Sequence, residues 1–206
     1  MTMLRNVRFV LWGLVGFAVA SIAFLAWQVA REGPRREGVL EPGRPMAEGA
    51  DWKLTDEGGR PFTPTDLRGK PTLMVFGFTH CPDVCPTALS YVANTLQALG
   101  PQADAVQPVF LTVDPERDTT AVMAEYTDLF DPRILGVTGA PDDVAAALKS
   151  LRVYSRKVPQ DDGNYTMDHT ATMLLLDAQG RPRSTLDIHE APETAAGKVR
   201  LLLDKP

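Results

Sequence analysis

The stretch LMVFGFTHCPDVCP, residues 73–86, joins an apolar run to the two cysteines of the chain. Its first six residues predict a strand that is buried in the sheet. Cys81 and Cys85 follow the end of that strand, with three residues between them. Pro86 disfavours helical dihedral angles at the residue before it and itself fits the first position of a helix. We therefore expect a helix from Pro86 to about Leu99, with Cys85 as its cap.

Two thiols at this spacing can close a disulfide or, as thiolates, bind a soft metal ion. A thioredoxin-type redox pair has two residues between its sulfurs, and a structural zinc site needs two further Cys or His ligands. The pair fits neither of these common patterns. The predicted helix N-terminus favours the thiolate form of Cys85, which would activate this sulfur both for disulfide exchange and for metal binding.

The rest of the apolar pattern alternates strands with helices and contains neither internal repeats nor a glycine-rich phosphate loop. The expected strands are 72–78, 109–113, 134–137, 153–158, 171–176 and 184–188, with a hairpin over 52–62, and the expected helices are 86–99, 119–130, 141–151 and 192–203. This order of strands and helices, followed by a β-hairpin and a final helix, predicts an α/β, thioredoxin-like domain with an added β-hairpin.

A third ligand for a metal held by two sulfurs must come from elsewhere in the chain. Of the three histidines, His169 is the best placed, because it precedes the predicted strand 171–176, where a loop can project over the cysteine end of the sheet. Asp168 would then support its imidazole ring. Two thiolates and one imidazole form a soft site of low charge that suits Cu(I) and, with a further donor, Cu(II). His80 is interpreted as a bystander, because neighbouring residues in an extended segment point to opposite faces.

The N-terminal region carries a second strong signal. Phe9 to Val29 contains no charged residue, and twenty-one helical residues cover roughly the 30 Å hydrocarbon core of a bilayer. Arg5 and Arg8 precede this run, which predicts a single membrane-spanning helix with the following domain on the outer side of a bacterial inner membrane, in the periplasm. A cleaved signal peptide is the alternative, and it leads to the same oxidising compartment.

Charge and composition divide the chain into an anchor over residues 1–30, a linker over 31–48 that is rich in Pro and Gly, and a globular domain over 49–206. Before Gly49 six Arg stand against four Glu, whereas fifteen basic residues face twenty-two acidic residues from Gly49 onward. Such an acidic domain makes nucleic acid an unsuitable partner.

Three segments together resemble the signatures of the Sco/SenC family. They are 76–87 (FGFTHCPDVCPT), 113–119 (VDPERDT) and 168–170 (DHT), and they occur in the family's order across most of the domain. The resemblance implies a membrane-anchored, thioredoxin-like domain that binds one copper ion per chain through Cys81, Cys85 and His169. Met167, which precedes the third segment where other members often carry Val, is interpreted as a packing residue.

The resemblance also implies a function in building the dinuclear copper centre of cytochrome c oxidase subunit II, as a copper donor, as a reductant of the target cysteines, or as both. Its partners would be that subunit, an upstream copper donor, a thiol reductant, and the membrane through residues 9–29. The alternative is a thiol-disulfide oxidoreductase or peroxidase in which Cys81 attacks and Cys85 resolves. Asp118 reads as a helix cap and Asp114 as a turn cap, with redox tuning or partner docking as the alternative for both.

Overall fold

The computed structural model describes residues 16–17, 20–24, 27, 43–161 and 163–204. The chain divides into two compact units, residues 1–39 and 40–206. In the first unit the described residues are helical, and the rings of Phe24 and Trp27 stack at 5.9 Å between centroids. Most of the predicted membrane span 9–29 and of the predicted linker 31–48 lies outside the described residues. Among the residues that are described, no helix is both long and apolar enough to cross a bilayer.

The second unit has a mixed α/β fold. Within its described residues the strands are β1 (Leu54–Asp56), β2 (Pro61–Phe62), β3 (Thr72–Gly77), β4 (Gln107–Thr112), β5 (Leu135–Thr138), β6 (Ser155–Pro159), β7 (Tyr165–His169), β8 (Met173–Leu176) and β9 (Pro182–Leu186). The helices are α1 (Val84–Leu99), α2 (Thr120–Asp128), α3 (Pro141–Ser150) and α4 (Pro192–Leu203), with short 3₁₀ helices at Pro64–Leu67 and Gly100–Ala105.

Seven of the described strands form one sheet in the order β2-β1-β5-β4-β3-β8-β9. The centre is parallel, with β3 paired to β4 and β4 to β5, whereas β8 runs antiparallel to β3 and β9 antiparallel to β8. Every residue of β3 is buried, because this strand lies in the middle of the sheet between two hydrophobic layers. The cysteines therefore follow a strand that is buried along its whole length, as the apolar run predicts.

Strands β6 and β7 form a separate two-stranded antiparallel sheet, in which Ser155 pairs with His169 and Pro159 with Tyr165. This β6–β7 hairpin corrects two expectations. The apolar segment 171–176 forms a strand only from Met173, and His169 is the last residue of β7 rather than part of a loop. The predicted return strand 184–188 lies at Pro182–Leu186, so the β8–β9 hairpin is confirmed with shifted bounds.

Two helix starts also differ from the prediction. Helix α1 begins at Val84 with Asp83 as its N-cap residue, so Cys85 lies within the first turn rather than at the cap. Helix α2 begins at Thr120, and its N-cap is Thr119, whose hydroxyl accepts a hydrogen bond from the Val122 N–H at 3.4 Å. Asp118 is therefore not the cap of α2, and its carboxylate has other partners.

Candidate metal centre

The cysteine loop, residues 78–85, brings the two sulfurs together through a turn and a helix start. The Cys81 N–H donates to the Phe78 carbonyl oxygen at 3.2 Å, which closes the turn after β3. The Cys85 N–H in the first turn of α1 donates to Cys81 Sγ at 3.5 Å. Both cysteines are free thiols, with Cys81 half-buried and Cys85 buried. One sulfur is therefore accessible from solvent, and the other lies beneath it.

Gly77 provides the space in which Cys85 lies. A Cβ atom at this position would come within 2.6 Å of Cys85 Sγ and within 2.8 Å of the Phe110 ring, far closer than real Cβ contacts. A glycine inside a strand often marks a close approach of this kind. The last residue of β3 must therefore lack a side chain for the buried sulfur to occupy its position.

Burial dominates the electrostatics of Cys85. The residue is 2% exposed, and the loss of solvent raises the pKa of the thiol far above its ordinary value. A backbone hydrogen bond with Phe78 lowers that pKa but does not offset the burial, and the neighbouring Cys81 raises it further. The expectation that the helix N-terminus would hold Cys85 as a thiolate is therefore wrong for the metal-free protein. A bound cation would supply the missing stabilisation of the thiolate.

Asp118 anchors the cysteine loop to the sheet. The carboxylate is fully buried and accepts hydrogen bonds from Thr79 Oγ1 at 2.6 Å, from the Thr79 N–H at 3.2 Å and from Thr112 Oγ1 at 2.5 Å. Thr79 lies in the cysteine loop and Thr112 ends β4, so one carboxylate fixes the loop against the neighbouring strand. This role replaces the capping role that the sequence suggested for Asp118.

His169 presents one ring nitrogen for binding. Its Nδ1 atom lies 3.0 Å from the Thr170 carbonyl oxygen, and because a carbonyl only accepts, Nδ1 carries a proton. In the neutral ring the lone pair is then on Nε2, which is the nitrogen that can bind a metal. The ring meets Phe78 of the cysteine loop edge-on, with 5.9 Å between centroids. Asp168 does not support this ring, since it lies on the opposite face of β7 and pairs with Arg156 at 3.5 Å.

Asp114 and Arg117 connect the segment after β4 to the β6–β7 hairpin. Asp114 is fully buried; it accepts a hydrogen bond from Arg117 Nε and another, at 2.9 Å, from the Tyr165 hydroxyl. Asp114 therefore does more than cap a local turn. Met167 packs against the main hydrophobic core, which confirms its interpretation as a packing residue.

His80 is exposed, and its Nδ1 lies 3.1 Å from the Thr79 hydroxyl. Within the part of the chain that the structure describes, no three His, Cys, Asp or Glu side chains converge closely enough to form a ready metal site. The cysteine pair and His169 are brought to the same end of the sheet through Phe78. The donor set fits a soft cation, because two sulfurs and an imidazole nitrogen carry little charge.

Sequence reasoning did not identify several residues that build this site. Gly77 could have been noticed as a glycine at the end of a buried strand. Thr79, Thr112 and Tyr165 act through contacts with residues distant in the sequence, and no local pattern marks them. Arg117 stands in the 113–119 segment, but its role depends on the hairpin.

The comparisons with known proteins agree with this architecture. The SCO1/SenC family profile matches residues 41–204. The mouse mitochondrial protein SCO2 homolog is 42% identical over 180 residues, which cover 82% of this chain and 71% of that protein.

Two solved structures with copper bound are also similar. Bradyrhizobium japonicum ScoI is 46% identical, with a TM-score of 0.71, over 79% of this chain and 99% of that one. Yeast Sco1 is 35% identical, with a TM-score of 0.69, over 75% of this chain and 87% of that one. The fold and the cysteine loop thus define a thioredoxin-like protein with a paired-thiol site. The chain belongs to the SCO1/SenC family.

Proposed function

We propose that this chain is a copper chaperone that binds one copper ion through Cys81, Cys85 and His169. The observation that carries the proposal is that two adjacent sulfurs follow Phe78, whose ring contacts the imidazole of His169, and that Nε2 of this imidazole makes no hydrogen bond with the described residues. Solved relatives with copper bound, at 46% and 35% identity, support copper as the cargo. Copper is bound as Cu(I), and as Cu(II) where a further donor is available.

The site is built for delivery rather than for permanent storage. Cys81 is half-buried and can be reached by the thiol of a partner, whereas Cys85 lies beneath it. An incoming thiolate can replace Cys81 first and Cys85 second, so that copper is never released into water. The recipient we propose is subunit II of cytochrome c oxidase, whose dinuclear copper centre is built from such thiolates, and an upstream donor supplies the copper.

The proposed location is a bacterial inner membrane. Residues 9–29 anchor the chain as a single span, residues 31–48 form the linker, and residues 49–206 lie in the periplasm as the copper-binding domain. A periplasmic reporter fused to the C-terminal end should be active. A reporter that is active only in the cytoplasm would contradict this orientation.

A second candidate function is thiol-disulfide exchange, and the unequal exposure of the two sulfurs favours it. As a thiolate, Cys81 would attack one sulfur of a disulfide in the target, forming a mixed disulfide and releasing the other target sulfur as a thiolate. Cys85, after losing its proton, would then attack Cys81 Sγ and release the second target sulfur. The products are a reduced target and a Cys81–Cys85 disulfide, which a separate thiol reductant must reduce again.

Anaerobic titration of the reduced full-length chain in mild detergent tests the proposed function. We expect one Cu(I) per chain, with competition against a chelator giving the affinity. Acidification should weaken binding, because the thiols must lose their protons. His189→Ala, at an exposed histidine, should bind as the wild type does. Absence of stoichiometric binding by the fully reduced wild type would overturn the copper function and leave the exchange function.

A further inference from the structure

Arg117 lies between β4 and α2 and is mostly buried, with 17% of its side chain exposed. Its Nε donates a hydrogen bond to the carboxylate of Asp114, which is itself fully buried. Arginine suits such a position because its planar guanidinium group can serve several acceptors in fixed directions. The ion pair with Asp114 uses only the Nε donor, and other atoms of the guanidinium group contact the β6–β7 hairpin.

The guanidinium group of Arg117 also holds the start of β7. Nη1 donates to the Tyr165 carbonyl oxygen at 3.1 Å, and the group lies over the Tyr165 ring at 3.9 Å from its centroid. The Tyr165 hydroxyl in turn donates to Asp114 at 2.9 Å. Arg117, Asp114 and Tyr165 thus form a closed set of contacts, here called the Arg117 cluster.

The Arg117 cluster and the candidate ligand share one face of β7. Alternate residues of a strand point to the same side, so Tyr165, Met167 and His169 lie on one face, with the first and last about 13 Å apart. Met167 packs on the core between them. Phe78 lies near both ends of this arrangement, since Arg117 is 5.8 Å and His169 is 5.9 Å from its ring centroid.

The guanidinium group of Arg117 is not fully satisfied by its neighbours. Its Nη2 atom is buried and has no hydrogen-bond partner among the described residues, and an unsatisfied buried donor costs free energy. Arg181 is a useful contrast. It forms a similar pair with Asp177 at 2.8 Å in the β8–β9 turn, but there Nη2 donates to the Gln179 side chain at 2.7 Å. Arg117 therefore leaves one donor unsatisfied, whereas its other groups contact Tyr165 of the hairpin.

We propose that Arg117 is the positioning residue for His169 and thereby sets the copper affinity of the site. It fixes the first residue of β7 to the segment after β4, and the hairpin then carries the imidazole at its other end. This inference rests on the proposed copper function. Arg117 of the 113–119 segment would thus orient His169, which is more than 50 residues away in the sequence.

Copper affinity of the full-length chain tests the inference first. Arg117→Met should weaken binding roughly 10- to 100-fold, the range typical of residues that orient a metal ligand. Arg117→Lys should not restore the affinity, because a single ammonium group cannot serve Asp114 and Tyr165 together. Tyr165→Phe, which keeps the ring and loses one hydrogen bond, should give a smaller loss and carries the test if Arg117→Met fails to fold. Arg181→Met is the matched control and should bind as the wild type does.

A double-mutant cycle separates positioning from a general structural effect. In a His169→Ala background, Arg117→Met should cause no further loss of affinity, since its effect passes through the imidazole. Equal losses in both backgrounds would overturn the inference. The NMR signals of the His169 ring in the copper-free chain should shift in Arg117→Met and stay unchanged in Arg181→Met. If the wild type binds no copper, the proposed function fails, and unchanged ring signals in Arg117→Met would then refute the positioning role by themselves.

Discussion

The cysteine loop and the β6–β7 hairpin supply the two halves of the candidate site in contrasting ways. The loop follows a fully buried strand, is fixed by the buried carboxylate of Asp118 and rests on Gly77. The hairpin is a small separate sheet, and its residues Arg156 and Lys157 are exposed. The core of the fold therefore determines the positions of the two sulfurs. We expect the position of the imidazole to depend on the Arg117 cluster and on the packing of Met167.

Loss of a sulfur should have the largest effect on copper. Cys85→Ser removes a proposed ligand that is buried, so stoichiometric Cu(I) binding should disappear in the anaerobic titration. His169→Ala should retain two sulfurs and bind more weakly than the wild type. Equal losses of copper affinity in Cys85→Ser and His169→Ala would contradict the contrast between the cysteine loop and the hairpin.

Gly77→Ala tests the close contact beneath the cysteine loop. The added Cβ would meet Cys85 Sγ at 2.6 Å and the Phe110 ring at 2.8 Å, and overpacking of this kind costs about 1–3 kcal/mol. Urea unfolding should show this loss together with weaker copper binding. Gly197→Ala in α4 is the control, because a Cβ there meets no atom within 4 Å and alanine favours a helix. If Gly77→Ala is as stable as the wild type, the close contact between Gly77 and Cys85 Sγ is contradicted.

Asp118→Asn tests whether the buried carboxylate holds the cysteine loop against the sheet. The amide cannot accept all three hydrogen bonds that the buried carboxylate receives, and we expect a loss of about 1–3 kcal/mol in the free energy of unfolding. Asp168→Asn on the hairpin breaks only an exposed ion pair with Arg156 and should change stability by about 0.5 kcal/mol or less. A loss for Asp118→Asn that is no larger than the loss for Asp168→Asn would contradict the anchoring role of Asp118.

The pH dependence of stability is a further test of the core half of the site. Burial raises the pKa of Cys85, so above the ordinary thiol pKa of about 8.5 the unfolded chain releases this proton while the folded chain keeps it. The contribution is complete below that pH and declines above it, by at most about 1.4 kcal/mol per pH unit. Urea unfolding between pH 7 and pH 10 should show a steeper decline for the wild type than for Cys85→Ser. Parallel curves would contradict the burial of the thiol.

Much of the fold was predictable because its central elements are strongly apolar. Strand β3 and helix α1 were expected from the run 72–78 and from Pro86, and both are present with small shifts of their bounds. Strand β7 was missed because its residues are half-buried or exposed and show no continuous apolar signal. The β6–β7 hairpin is held by contacts to the segment 113–119, and such contacts leave no periodic pattern in the sequence.

The predictions that Asp118 caps a helix and that Cys85 is a thiolate were wrong, because both considered only neighbouring residues in the sequence. An Asp just before a helix is a common N-cap residue, but Asp118 instead accepts hydrogen bonds from the hydroxyls of Thr79 and Thr112, which belong to other elements. A helix N-terminus stabilises a thiolate by about 1 kcal/mol, whereas burial of Cys85 acts in the opposite direction and is stronger. Neither the partners nor the burial could be inferred from neighbouring residues.

X-ray absorption spectroscopy of the Cu(I)-loaded, full-length chain tests the proposed site most directly, because it counts the ligand atoms around the metal. The proposed ligands Cys81, Cys85 and His169 predict two sulfurs and one imidazole nitrogen. His169→Ala should lose the imidazole scattering and keep both sulfurs, while His189→Ala should give the wild-type spectrum. A wild-type spectrum with sulfur ligands only, or with imidazole scattering that persists in His169→Ala, would contradict the assignment of His169 as the third ligand.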